Sequence, residues 1–291
     1  MDLQETKALL SRYGIAPIRS LGQNFLVDGP AQQRILEELG CQQEDLVLEI
    51  GPGAGVLSGQ LAGKCAHLML VEIDRHLIPL LQARFEGDRT VTVLHEDAMA
   101  LDYQTLVPRW REALTDGHAP IRVVSNLPYY ITTPMISKLI TEIPECSRFV
   151  FTLQKEAADR IMAPTGSAGY GVLSVLAQHL YTMQTVAELQ ASCFHPQPGV
   201  DSVVLSMAPN LHGRYTSKEI RDFEKFIKAS FGQRRKTLAN ALAGAWHLPG
   251  GKESVGQALQ AVGLPATARA QELSPDLFRA VYLLLKKESS T

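Results

Sequence analysis

Between residues 46 and 153 short, nearly uninterrupted apolar runs alternate with longer stretches whose apolar positions recur every three or four residues. The runs at 46–50 (LVLEI), 67–73 (HLMLVEI), 91–95 (VTVLH), 121–125 (IRVVS) and 149–153 (FVFTL) predict five strands. Continuous rather than alternating apolarity is what a strand covered on both faces requires. The segments 54–63, 75–86, 103–114 and 132–143 predict helices between them. Repeated β-α units of this kind build a parallel, doubly wound sheet with right-handed crossovers. Ligands on such sheets sit at the carboxyl ends of the strands, near the point where strand order reverses.

After residue 153 the alternation loosens. Helices are predicted at 154–162 and 171–181, around a small-residue loop at 163–171 (APTGSAGYG). Two more strands follow at 184–190 and 201–208, separated by Phe194-His195-Pro196-Gln197-Pro198-Gly199. From Tyr215 the spacing is helical, with segments at 217–230, 234–245, 253–261 and 275–287, broken around Pro249 and Pro265. A boundary near 208–215 divides the chain into an α/β domain, residues 1–210, and a small all-helical domain, residues 211–291.

The chain has 291 residues, 45% hydrophobic and 20% charged, enough apolar material for a full core, which excludes a disordered chain. The net charge of −2 argues at first against a nucleic-acid binder. Charge by segment changes that picture, because residues 1–199 carry −7 and residues 200–291 carry +5. An acidic body therefore precedes a basic helical domain. The four cysteines, at 41, 65, 146 and 193, form no close pair, so neither a zinc site nor a redox dithiol is expected, and a reducing compartment is. The start of the chain lacks the layout of a secretory signal, and no apolar stretch nears the ~20 residues that span a bilayer. A soluble, cytoplasmic protein without a metal is expected.

The candidate chemistry lies at the ends of the predicted strands. Glu49-Ile50-Gly51-Pro52-Gly53-Ala54-Gly55 follows the first strand and opens a helix. Glycines there allow a tight turn and close approach of a ligand to the backbone. Their G-x-G-x-G spacing differs from the dinucleotide fingerprint and suits the loop that wraps the methionine part of S-adenosylmethionine. Glu72 ends the second strand, 21 residues after Gly51, where a carboxylate can accept both hydroxyls of a ribose, with Ile73 beside it. Asp74 is the weaker alternative. Asp97, followed by Ala98, comes after the third strand and is placed to accept from an adenine amino group.

Asn126-Leu127-Pro128-Tyr129 ends the fourth strand and matches the [N/D/S]-[P/I/L]-P-[Y/F/W] pattern of enzymes that methylate exocyclic amines of bases. An adenine N6 lone pair is delocalised into the ring and is a poor nucleophile. The side-chain oxygen of Asn126 and the backbone carbonyl of Leu127 can each accept one amine hydrogen. Holding both favours a pyramidal nitrogen aimed at the donor methyl, which is catalysis by orientation. Pro128 fixes the turn, and Tyr129 offers a ring on which the base stacks, a contact typically worth ~1–3 kcal/mol. Asn126 also borders the cofactor side of the pocket. A target within a duplex would first have to be extruded. Phe194 is the candidate for the second face of the base sandwich, with a core phenylalanine as the competing reading.

Two flanking features complete the set. Leu21-Gly22-Gln23-Asn24-Phe25-Leu26 precedes the first strand and could close over the cofactor. Phe231-Gly232-Gln233-Arg234-Arg235-Lys236 is expected to open a C-terminal helix, with three consecutive cations suited to phosphate contact.

In order along the chain stand GQNFL at 22–26, EIGPGAG at 49–55, VEID at 71–74, EDA at 96–98, NLPYYITTP at 126–134, QKEAADR at 154–160 and FGQRRKTLANAL at 231–242. This series resembles the ribosomal RNA adenine N6,N6-dimethyltransferase family, in its bacterial small-subunit (KsgA-type) branch. The resemblance spans nearly the whole chain. It implies a class I methyltransferase sheet, Rossmann-like, mostly parallel and seven-stranded, with a small helical C-terminal domain. It further implies transfer of two methyls from S-adenosylmethionine to each of two adjacent adenosines in the 3′-terminal hairpin loop of small-subunit rRNA, late in subunit assembly. On that reading Gln23, Asn24 and Leu26 line the cofactor entrance, and Gly51 and Gly53 meet the donor's amino-acid part. Glu72 meets its ribose and Asp97 its adenine, Ile73 and Ala98 are also at the cofactor, and Asn126 holds the target amine. Arg234, Arg235 and Lys236 touch RNA. The stretch at 269–274 (RAQELS) departs from the pattern by lacking a proline ahead of its glutamate, which concerns local packing.

Three other readings compete. An enzyme of the same fold acting on large-subunit rRNA, of the macrolide-resistance type, is the nearest, but NLPYYITTP and the RRKTL run favour the small-subunit enzyme. A binding-only assembly or transcription factor would not need an intact Asn126–Tyr129 turn or Glu72. A nicotinamide oxidoreductase is disfavoured by the glycine spacing. The expected partner is the immature small ribosomal subunit, met by a monomer with no membrane attachment.

Overall fold

In the computed structural model, the described residues are 1–114, 117–210, 215–243, 245–246 and 250–288. Part of the expected domain boundary, 211–214, and the expected break at Pro249 lie outside them. Seven strands form the main sheet: β1 (Leu46–Ile50), β2 (His67–Glu72), β3 (Val91–His95), β4 (Ile121–Asn126), β5 (Arg148–Gln154), β6 (Tyr181–Leu189) and β7 (Ser202–Pro209). Their order is β3-β2-β1-β4-β5-β7-β6. The pairs β1–β2, β1–β4, β2–β3 and β4–β5 are parallel, whereas β7 runs antiparallel to β5. The order reverses between β1 and β4, so the carboxyl ends of β3, β2, β1 and β4 stand side by side along one edge. The uniform apolarity of the central strands matches their burial: Val47, Leu48, Leu68, Leu70, Val123 and Val124 are all fully buried. Each such side chain contributes roughly 1.5–3 kcal/mol of hydrophobic stabilisation.

The helices along the chain are α1 (Leu3–Arg12), α2 (Gly29–Leu39), α3 (Ser58–Leu61), α4 (Ile78–Arg84), α5 (Tyr103–Leu114), α6 (Thr132–Glu142), α7 (Lys155–Ile161) and α8 (Val172–Leu180). They continue with α9 (Ser217–Phe231), α10 (Leu238–Leu242), α11 (Gly251–Ala261) and α12 (Pro275–Glu288). The pattern of apolar positions did not anticipate α1 or α2. Yet α2 carries its signals: Asp28 caps the Ala31 N–H at 2.8 Å, Pro30 lies in the first turn, and Ala31, Ile35 and Leu39 recur every four residues into the core. Arg122 of β4 donates to the terminal carbonyl of Leu39 at 2.7 Å and pairs with Asp45, while Arg148 of β5 pairs with Glu38. These contacts pin α2 under the sheet and aim the preceding segment, 21–26, toward the opposite edge.

The chain divides into two compact units, Met1–Ala158 with Thr182–Pro209, and Asp159–Tyr181 with the residues from Asn210 onward. A single cut near 208–215 therefore misses that 159–181 belongs with the helical unit. The reason is local. Within that unit the hydroxyl of Tyr170 donates to the Leu273 carbonyl at 2.8 Å, and its ring meets Phe231 edge-on. The unit's core is aromatic, with Phe226 and Tyr282 rings 5.4 Å apart and Phe231 stacked on Phe278 at 5.6 Å. The stretch without the expected proline forms a short 3-10 turn, Ala270–Glu272, closed by the Glu272 carboxylate accepting from the Arg269 N–H at 3.1 Å.

Candidate active site

Four strand ends and the segment 21–26 surround one pocket in the sheet-bearing unit. After β1 the chain turns through Gly51, Gly53 and Gly55, all with positive φ, which spends residues 54–57 on the turn and shortens the expected helix to α3. A β-carbon on Gly51 would meet nothing within 4 Å, because the pocket opens in front of it. One on Gly53, where φ is already +58°, would sit 3.1 Å from the Phe25 ring, so the ring or the loop would have to give way.

Glu72, at the end of β2, is buried, and both carboxylate oxygens accept backbone hydrogen bonds, from Gly53 at 3.2 Å and Asp74 at 2.9 Å. Burial raises its carboxyl above the usual range, against those two bonds. Ile73 lies just beyond β2 and is exposed on the pocket wall. Asp97, exposed after β3, accepts from the Met99 N–H at 2.8 Å, and buried Ala98 lies beside it. At the end of β4 the Leu127 N–H donates to the Thr152 carbonyl at 2.9 Å, which fixes the start of the Asn126–Tyr129 turn. The Asn126 side-chain nitrogen donates to the backbone carbonyl of Asn24 at 2.7 Å. That contact turns the amide so that its oxygen is the atom left for a ligand. The Tyr129 hydroxyl is anchored to Ser202 at 3.0 Å.

All the residues expected at the cofactor, Gln23, Asn24, Leu26, Gly51, Gly53, Glu72, Ile73, Asp97, Ala98 and Asn126, line this pocket, as do Leu127, Pro128 and Tyr129. The side chain of Gln23 is engaged elsewhere: its oxygen accepts from the Ile18 N–H at 2.7 Å and its nitrogen donates to Asp74 at 2.7 Å. Gln23 thus fastens the 21–26 segment to the end of β2. Burial alone would raise Asp74, but hydrogen bonds from Gln23 and His76 outweigh it and hold the carboxyl low. Asp74, the weaker candidate, does not line the pocket, and its carboxylate is engaged by Gln23 and His76.

Phe194 is not brought to the pocket. It is 2% exposed, pairs with Leu26 in a two-strand ribbon (Phe25–Leu26 with Phe194–His195), and packs into the core beneath the 21–26 segment. Its placement here is the one that the core reading describes. The basic triplet also differs from expectation. Residues 232–236 form a turn, and the next helix, α10, starts only after Thr237 caps it, because the run of cations provides no cap. Arg234 donates to the carbonyls of Ala168 at 3.2 Å and Tyr170 at 2.9 Å, so it clamps the small-residue loop within its own unit. Arg234, Arg235 and Lys236 are all exposed.

Among the pocket residues that the sequence reading assigned no role is a buried acid. Glu49 is 3% exposed in the middle of an apolar strand, and the Ser58 hydroxyl donates to it at 2.5 Å. Its signal was an acid inside LVLEI. Burial pushes its carboxyl from 4.5 to about 7, Ser58 opposing and the nearby Glu72 adding to the rise. An acid whose folded pKa is raised favours folding least when ionised. Its penalty is absent below pH 4.5, grows as pH rises, and levels off above about 7. Glu49→Gln is expected to remove that slope, a difference on the order of 3 kcal/mol between the ends of the window. Calorimetric melting of both proteins from pH 4.5 to 8 checks this, and parallel curves would refute it.

Among the described residues no group of three or more His, Cys, Asp or Glu is arranged to hold a metal, and no helix is long and apolar enough to cross a membrane. Residues 18–286 match the family described as Ribosomal RNA adenine dimethylase. A protein of Natranaerobius thermophilus named Ribosomal RNA small subunit methyltransferase A is 35% identical, over 97% of this chain and 96% of its own length. The crystal structure of a dimethyladenosine transferase from Plasmodium falciparum superposes with a TM-score of 0.73 at 23% identity, over 91% of this chain and 98% of that one. That of the 23S rRNA methyltransferase ErmE gives 0.64 at 23% identity, over 90% and 100%. Both structures share the α/β architecture described above.

Proposed function

The chain belongs to the ribosomal RNA adenine dimethylase family, and from that premise we propose that it dimethylates N6 of two adjacent adenosines in the 3′-terminal hairpin loop of small-subunit rRNA. The observation that carries this reading is the Asn126 amide on the pocket wall, tethered through its nitrogen to the Asn24 carbonyl, which leaves its oxygen as the atom available to accept. S-adenosylmethionine, when bound, supplies an electrophilic methyl on a sulfonium centre. The pocket suits it: a glycine turn with open space at Gly51, and the carboxylates of Glu49, Glu72 and Asp97 for a cationic donor rich in hydroxyls and amines. In this reading Gly51 and Gly53 meet the amino-acid part, Glu72 the ribose hydroxyls, and Asp97 the adenine amine. Ile73 and Ala98 supply apolar contact.

Toward the substrate, the Asn126 oxygen and the Leu127 carbonyl each accept one hydrogen of the target amine. This holds the nitrogen pyramidal with its lone pair toward the donor methyl. Tyr129, its hydroxyl tied to Ser202, offers a ring already fixed in place for the base. The amine's proton passes to water after transfer, so no side-chain base is required. In the helical unit Arg235 and Lys236 serve phosphate contact, while Arg234 holds the loop. The enzyme acts as a monomer in the cytoplasm on the immature small subunit.

The large-subunit reading is not favoured, since relatives at 33–37% identity carry the small-subunit name. Labelled methyl transfer onto unmethylated small-subunit particles, set beside naked large-subunit RNA, tests the proposal. Mass mapping of the product should find label on two neighbouring adenosines of the small-subunit RNA. Label confined to large-subunit RNA would overturn it.

A further inference from the structure

Tyr130 is 57% exposed, more than any other large apolar side chain among the described residues, and it lines the same pocket as Asn126 and Glu72. It sits on the short 3-10 turn Tyr129–Ile131, directly after the amide and carbonyl assigned to the target amine. A β-carbon on Gly22 would lie 3.7 Å from the Tyr130 ring and 3.6 Å from Pro128, so the 21–26 segment backs the ring on one side. Its hydroxyl makes no hydrogen bond among the described residues. More than half of the residue is left uncovered at the rim. A single exposed aromatic side chain is ordinary on a protein surface, but one on the wall of a ligand pocket offers a π-face on which a base can stack. With Tyr129 half-buried and hydroxyl-anchored inside, and Phe194 in the core, Tyr130 is the aromatic surface left at the mouth.

We infer that Tyr130 is a substrate-binding residue, the platform on which an unpaired nucleobase next to the target adenosine stacks. The inference rests on the proposed RNA substrate and narrows it to a single-stranded segment that brings at least two bases to the site. Aromatic rings serve this purpose because every base presents a π-face, so a platform holds the strand without reading its sequence. The ring is the working part, and the hydroxyl is dispensable.

Steady-state kinetics on a hairpin-loop RNA, with Tyr130→Ala and Tyr130→Phe, provide the test. Tyr130→Ala is expected to raise KM for RNA about tenfold, the loss expected for one stacked base. Its kcat and its S-adenosylmethionine Kd stay within about twofold. Tyr130→Phe keeps wild-type KM. A second arm places 2-aminopurine beside the target adenosine: its fluorescence is quenched on binding wild type and Tyr130→Phe, and not on binding Tyr130→Ala. An unchanged KM in Tyr130→Ala, a loss confined to kcat, or equal quenching by all three proteins overturns the inference. The fluorescence arm reads stacking without turnover. Wild type that binds and quenches this RNA yet methylates none would therefore overturn the proposed function and leave the platform standing.

Discussion

Asn126→Ala is expected to lower kcat for methyl transfer at least about 100-fold while leaving the Kd for S-adenosylmethionine within about threefold. The geometry sets both halves of that expectation. Asn126 ends β4 one residue before Leu127, whose N–H is locked to Thr152, so the backbone stays in place when the side chain is removed. What is lost is an acceptor oxygen held in one orientation by the 2.7 Å bond to the Asn24 carbonyl. An amine bound by Leu127 alone is free to stay planar, with its lone pair in the ring. Asn126→Asp separates the two parts of the role. It retains acceptor oxygens but has no N–H for Asn24, and it sets a carboxylate against that carbonyl. If anchoring matters, Asn126→Asp falls with Asn126→Ala. Single-turnover transfer of labelled methyl measures both, and wild-type rates in Asn126→Ala would remove the residue from the chemistry.

The strands and the pocket were legible because both are written in local sequence. LVLEI and three of its four successors announce buried strands by continuous apolarity, whereas VTVLH forms the sheet's edge and is only partly buried; each motif follows its strand directly, so sheet topology alone assembles Gly51, Glu72, Asp97 and Asn126. What was not legible depends on contacts between distant segments. Phe194 stands in a proline-framed loop that reads as exposed, but pairing with Leu26 turns its ring into the core. Arg234 reads as one of three equivalent cations, yet one of its guanidinium nitrogens also donates to the carbonyls of Ala168 and Tyr170, more than sixty residues away. The same loop carries 159–181 into the helical unit, which no break in composition marks. By contrast α2 went unread although Asp28 and Pro30 announce it, because glutamines interrupt its apolar stripe. One of them, Gln32, is buried and spends its amide on the carbonyls of Met1 and Leu26. A buried polar residue with full partners is invisible to a reading by hydrophobicity.

Glu72→Ala is expected to act on the other substrate, raising the Kd for S-adenosylmethionine about 100-fold with kcat at saturating cofactor within a few-fold. Hydrogen bonds to a charged acceptor contribute about 1.5–3 kcal/mol each, so the loss of a carboxylate that receives two ribose hydroxyls reaches this size without full additivity. The residue has a second duty, since its oxygens accept the N–H groups of Gly53 and Asp74. Alanine leaves both donors unpaired at the glycine turn, whereas glutamine keeps one acceptor. Glu72→Gln should therefore melt closer to wild type than Glu72→Ala does and still bind the cofactor more weakly. Acidity supplies a further discriminator. Burial raises the Glu72 carboxyl, so wild-type affinity should fall as pH drops toward that raised value, while Glu72→Gln should keep only the part of that fall that Glu49, raised to about 7, contributes. Calorimetric titration across pH 5 to 8 would read both effects together. A Kd in Glu72→Ala within threefold of wild type would mean that the ribose is held by another part of the pocket wall, and the turn from β1 to α3 would then be the place to look.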